Sequence, residues 1–136
     1  MAELLSSLNW IAVLVATVVY FILGALWYSP LMFANIWMKL RNISEDEIDG
    51  PNPVIFLYSF ILQLIAVVSL ALFMSAMNVE GTLNGAIIGF GAGAGILFTL
   101  AGSTGIFTEL KMKLHFLDSG YHVVGMTLAG LILGWW

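Results

Sequence analysis

Few residues in this chain can do chemistry, so their spacing carries most of the information. His115, Asp118 and His122 follow the pattern His-x2-Asp-x3-His. Residues three and four apart share one face of a helix, so a continuous helix would put all three on the same side. Two imidazoles and a carboxylate can ligate zinc or another divalent ion, with the aspartate orienting a histidine. They can equally relay protons, because ionisable groups within a membrane mark ion or substrate pathways. The plainer expectation is structural. Asp118 would cap the last span, accepting from amides near Gly120 and Tyr121, and His115 would face the lipid headgroups.

A second polar set lies on the first apolar stretch. Asn9, Thr17, Tyr20, Gly24, Trp27 and Tyr28 share roughly a third of a helix circumference at ~100° per residue. With Gln63 they could line a small polar cavity. The alternative is plain hydrogen bonding between helices, worth about 0.6 to 2 kcal/mol per contact. Glu45, Asp46, Glu47 and Asp49 read as a solvated turn, with a weak divalent-cation site as the lesser reading. No nucleophile elbow, P-loop, HExxH or dinucleotide fingerprint is present. Gly89-Phe90-Gly91-Ala92-Gly93 lies within apolar sequence with no preceding soluble strand, so it is not a phosphate loop. The absence of cysteine excludes disulfides and thiolate chemistry.

The elements that must position these groups follow from composition. Apolar residues make up 61% of the chain and charged ones 9%, against about half and about a quarter in soluble domains. Four stretches, about 8–28, 54–76, 85–107 and 118–136, each reach the ~20 residues needed to cross a ~30 Å hydrocarbon core. The expected fold is an all-α membrane protein of four transmembrane helices in one integral domain, 1–136. A short interfacial and acidic helical segment should lie between spans one and two. Leu31–Leu40 has the apolar spacing of a helix in the headgroup plane, Ser44-Glu45-Asp46-Glu47 has the form of a capping box, and Gly50-Pro51-Asn52-Pro53 should end the segment. The start, Met1-Ala2-Glu3, has no basic residue and the apolar run is long, so the first stretch is expected to be a retained span rather than a cleaved signal.

Glycine organises the third stretch. Gly81, Gly85, Gly89 and Gly93 recur every four residues, and Gly91, Gly95, Thr99 and Ser103 form a second row. In water each glycine would weaken a helix by about 1 kcal/mol. In lipid small residues instead let helices approach closely. Span three should therefore be a central packing helix contacted on more than one side, with Gly130 and Gly134 offering a further small pair. Such faces also suggest a homo-oligomer, or a partner membrane protein.

All four Lys and Arg residues, Lys39, Arg41, Lys111 and Lys113, fall in the two loops about 30–53 and 109–117. With four spans those loops share a side, so the positive-inside rule puts them in the cytoplasm and both termini outside. Asn42-Ile43-Ser44 matches a glycosylation acceptor but would face the wrong side. Two basic pairs cannot track a phosphate backbone, so nucleic acid is not an expected partner.

The segments Gly24-Ala25-Leu26-Trp27-Tyr28-Ser29-Pro30-Leu31-Met32-Phe33, Trp37-Met38 and Asp118-Ser119-Gly120-Tyr121-His122 resemble the family of small bacterial membrane proteins catalogued as domain of unknown function 1761. The resemblance runs from Asn9-Trp10 to Gly134-Trp135. It implies four spans in a bacterial inner membrane and no established reaction. It also draws Trp27–Pro30 and Asp118–His122 together at the cytoplasmic edge, where Tyr28 and His122 are expected to meet. The candidate ligand or ion site is Trp27, Tyr28, Gln63, Asp118, Tyr121 and His122. The leading expectation is small-ligand or ion binding or transport. A structural or accessory subunit that packs partner helices through its glycine faces is the alternative. No cofactor is expected. Enzymatic activity is the least favoured reading, limited to proton-transfer or metal-assisted chemistry on a lipidic substrate.

Overall fold

The computed structural model describes residues 2–47, 52–109 and 111–136. Within them the chain is helical, with no strand, and four helices are long and apolar enough to cross a membrane. The expected turn residues Gly50 and Pro51, the acidic Asp49, and Leu110 lie outside the described residues.

A short helix, α1 (Ala2–Ser7), precedes the first span and was not expected. The first span, α2 (Trp10–Trp27), starts where Asn9 caps it: the Asn9 side-chain oxygen accepts from the amides of Ile11 and Ala12, both at 3.1 Å. Its exit leads into α3 (Ala34–Arg41), which buries none of its residues and ends at Asn42 in the left-handed conformation. Arg41 lies over the Trp37 ring, 4.9 Å from its centroid, a contact suited to an interfacial helix. A single tight turn, Glu45–Glu47, follows. There the Glu47 carboxylate accepts from the Ser44 amide at 3.2 Å, half of the capping box.

The second span, α4 (Pro53–Ala76), begins with proline at its first position and Asn52 as cap, a site where the missing amide hydrogen costs nothing. The third span, Thr82–Phe107, comes in three parts. Regular α5 (Thr82–Phe90) passes into eight residues of wider π-type turns, Gly91–Phe98, then into α6 (Thr99–Phe107). The last span, α7 (Met112–Trp135), begins well before Asp118, and its first residues include Lys113 and His115.

Packing is uneven. Residues such as Val13, Ala16 and Tyr20 of α2, Val67 and Leu70 of α4, and Met126 and Ala129 of α7 form one buried core. The most extensive contact in the chain is between α5 and α7, whereas α4 touches α5 only slightly. Glycine explains the first of these. A Cβ at Gly85 would stand 2.1 Å from the Gly130 carbonyl oxygen, and one at Gly89 equally close to that of Met126. Gly93 faces Val123, and Gly134 faces the Gly81 carbonyl. The second row behaves otherwise: nothing lies within 4 Å of a Cβ at Gly91 or Gly95. Within this chain span three is therefore held on one side, by α7, and its other small-residue face is open.

The outer surface is apolar, with Ile11, Leu14, Ile22, Ile55, Leu62 and Phe90 among many exposed large side chains. A continuous belt of this kind belongs in hydrocarbon rather than water.

Candidate functional site

Four contacts tie the end of α2 and α3 to the first half of α7. Lys111 donates to the Leu40 carbonyl at 2.6 Å, and the Trp27 indole donates to the Leu117 carbonyl at 3.1 Å. Tyr28 donates to Asp118 at 2.9 Å. Deeper in, Tyr20 and the His122 Nδ1 are 2.7 Å apart. Burial, followed by the hydrogen bond to Asp118, holds the Tyr28 phenol well above the ordinary tyrosine range, so it remains the donor in that pair.

Tyr121 is the hub. Its ring centroid lies 4.7 Å from that of His122, 5.3 Å from Tyr20, 5.8 Å from Tyr28 and 6.3 Å from Trp27. Its hydroxyl accepts from the Gln63 amide nitrogen at 2.5 Å and donates to the Tyr20 carbonyl at 3.4 Å. Two glycines admit these rings. A Cβ at Gly125 would come within 2.1 Å of the Tyr20 ring, and one at Gly24 within 2.9 Å of the Tyr121 hydroxyl.

These side chains surround a cavity of about 350 Å³, walled by Tyr20, Tyr28, Gln63, Leu97, Tyr121 and His122, with Ser59 at its edge. Gln63 follows the start of α4 by ten residues, as His122 follows the start of α7. At ~1.5 Å per residue each lies roughly 15 Å along its helix. The cavity thus reaches from the rim, at Tyr28, to the middle of the bundle. Gln63 Oε1 is buried there without a hydrogen-bond partner. Whichever end of the amide faces Tyr121, the other is left unpaired.

The structure therefore brings Trp27, Tyr28, Gln63, Asp118, Tyr121 and His122 into one neighbourhood. It changes three expectations within it. Asp118 is not a helix cap, because α7 starts at Met112 with Lys111 in the cap position, and the carboxylate turns to Tyr28 instead. Tyr28 and His122 do not bond to each other; they line the same cavity, each with a different partner. His115 is not at the headgroups but buried, bonded to Ser119 at 3.1 Å and stacked 4.4 Å from Phe98. A Cβ at Gly102 would lie 3.1 Å from its ring.

His115, Asp118 and His122 thus serve three different neighbours, and no group of three His, Asp or Glu among the described residues could hold a metal ion. Of the acidic turn, Asp46 and Glu47 belong to no such group among the described residues. Tyr20 is the residue that the candidate set omits. Its place on the polar face of span one was a signal for it, but Gly125, which makes room for its ring, carried none.

Fold and cavity together define a small multi-pass membrane protein, four helices around an aromatic and polar pocket. The family model described as "Protein of unknown function (DUF1761)" matches residues 11–134, a range that includes every residue of the pocket. The chain belongs to that family. No curated protein and no solved structure matches it.

Proposed function

We propose that this protein binds a small ligand or ion within the membrane, in a transport-type role, at the cavity walled by Tyr20, Tyr28, Gln63, Tyr121 and His122. The observation that carries the reading is Gln63 Oε1. A buried acceptor in hydrocarbon costs free energy unless something donates to it. Gln63 also lines a cavity large enough for an organic molecule, beside a histidine and a tyrosine–carboxylate pair. In this reading the protein resides in a bacterial inner membrane with the Lys39, Arg41, Lys111 and Lys113 end in the cytoplasm, both termini outside, and copies of the chain associated as a homo-oligomer.

The test is thermal unfolding of the detergent-solubilised protein with butylamine, butanol or butyrate. A ligand that binds only the folded state raises the midpoint. At least one of the three should raise it for the wild type and fail to do so for Gln63→Leu. Identical responses of the two proteins to all three compounds would overturn the reading.

One observation favours a second reading. The outer row of Gly91 and Gly95 is open in this chain, and such a face suits close approach of another helix. As an accessory subunit the protein would co-purify stoichiometrically with a different membrane protein after gentle extraction, and Gly91→Leu would release it.

A further inference from the structure

A second cavity adjoins the first. It holds about 250 Å³ and lies between α4 and the π-turn segment, lined by Leu70, Phe73, Ala92, Ile96 and Met126. Ala66 and Leu97 line both cavities, so the two are neighbours across those side chains.

The lining residues advance in one direction. On α4 they pass from Ser59 and Gln63 to Leu70 and Phe73, and on α7 from His122 to Met126. On span three, which runs antiparallel to α7, they pass backwards from Leu97 to Ala92. The two cavities thus lie in line along the bundle, as a furrow with Ala66 and Leu97 between its two arms. Ten residues separate Gln63 from Phe73, so the apolar arm extends roughly 15 Å beyond the polar one at ~1.5 Å per residue. The furrow exists because α7 holds α5 and α2 holds α4, while α4 and α5 barely touch. Leu62, Phe73 and Ile96 on its margins are more than half exposed, so it opens sideways to lipid.

Its two ends differ in chemistry. The apolar arm has one hydroxyl, Ser69, and that donates to the Ile65 carbonyl of its own helix at 2.8 Å. The polar arm has the tyrosines, His122 and Gln63, whose unpaired oxygen is itself buried. No Lys or Arg lines either arm. The formal charge closest to them is the Asp118 carboxylate, bonded to Tyr28 and one helical turn before His122, with the Arg41 guanidinium of α3 acting more weakly on Tyr28. A buried anion here would be repelled by the Asp118 carboxylate, with only the more weakly acting Arg41 to offset it. A protonated amine would have the carboxylate and the faces of Tyr28 and Tyr121.

We propose that the occupant is a single-chain amphiphile with an amine head, seated with its head among Tyr28, Gln63 and His122 and its hydrocarbon chain along Phe73, Ile96 and Met126. It enters sideways, between α4 and the π-turn segment. This assignment rests on the ligand-binding reading above and specifies its substrate class.

The experiment compares butylamine, dodecylamine and dodecanoate by thermal shift titration of the solubilised protein. Dodecylamine should bind at least tenfold more tightly than butylamine. Asp118→Asn should weaken both amines, and Ala92→Phe, which fills the apolar arm, should remove the advantage of the longer chain while leaving butylamine unaffected. Should Ala92→Phe fail to fold, dodecylamine carrying a diazirine at its chain end provides the second measurement, with wild-type labelling expected at Phe73, Ile96 or Met126. Equal affinity for butylamine and dodecylamine, or labelling elsewhere, would overturn the furrow while leaving the cavity as a site. Dodecanoate binding as tightly as dodecylamine would overturn the amine head. Failure of dodecylamine together with butylamine, butanol and butyrate would overturn both proposals.

Discussion

Tyr20 and Gln63 allow the sharpest separation of structural from ligand effects. Tyr20→Phe deletes the hydroxyl that meets His122 Nδ1 and leaves the packed ring in place. Interhelical hydrogen bonds of this kind average about 0.6 kcal/mol and reach about 2, so the unfolding free energy in detergent should fall by roughly that amount. The His122 imidazole should also lose its fixed orientation, visible as a change in its nitrogen chemical shifts; an unchanged imidazole spectrum would remove the bond from the account. Gln63→Leu differs in kind. It loses one hydrogen bond but also an unpaired buried oxygen, and these oppose each other. Ligand-free stability should change by less than about 1 kcal/mol, while ligand stabilisation disappears. Part of this cluster was legible in sequence, because Trp27 and Tyr28 share the polar face of span one and Asp118 and His122 stand four apart, while Tyr121 and the meeting of the two segments were implied by the family resemblance. What could not be read was the offset between helices. Tyr28 pairs with Asp118 rather than His122 because α7 is already helical from Met112, and no residue type announces how far one span slides along another.

At the level of helices, the two glycine rows of span three give opposite expectations from the same residue type. Gly89→Ala puts a Cβ 2.1 Å from the Met126 carbonyl oxygen, so α5 and α7 must separate. Overpacking of this sort costs about 1–3 kcal/mol. Gly91→Ala meets nothing within 4 Å and should leave stability unchanged or raise it by up to about 1 kcal/mol through helix propensity. Chemical unfolding of the two variants in the same detergent checks the pair, and equal losses would refute the one-sided packing. The rows themselves were plain in sequence, as were Asn9 and Asn52 at helix starts and Pro53 just inside one. Which row was occupied was not, since both offer the same small surface. The start of α7 was hidden for a different reason. Glu109–Asp118 alternates apolar and polar residues, the period of a strand rather than of a helix, yet exposed Lys113 can hold its charge at the interface from a helix while Leu114 and His115 turn inward.

For the molecule as a whole, the distribution of charge and the position of the cavity belong to one end. Lys111 reaches the Leu40 carbonyl, so the two basic loops meet beside the Tyr28–Asp118 rim, while Glu80 lies at the opposite end near the C-terminus of α7. The four-span architecture followed from length and hydropathy alone, because hydrocarbon thickness permits few other solutions. The furrow did not, since it depends on α7 rather than α4 being the neighbour of α5, although only residues 77–81 join α4 to α5. Orientation is the remaining whole-molecule quantity with a direct test. Four basic residues on one end and none on the other should direct that end to the cytoplasm. Alkaline phosphatase fused after Trp136 should then be active and the same enzyme fused within 42–44 inactive. Replacing Lys39, Arg41, Lys111 and Lys113 by glutamine while adding lysines before Leu8 should invert both results, because the bias and not the apolar spans sets the direction. An unchanged pattern in that variant would mean that something other than the positive charges threads the chain, and the Tyr28–Asp118 rim could no longer be assigned to the cytoplasmic leaflet on the strength of its basic neighbours.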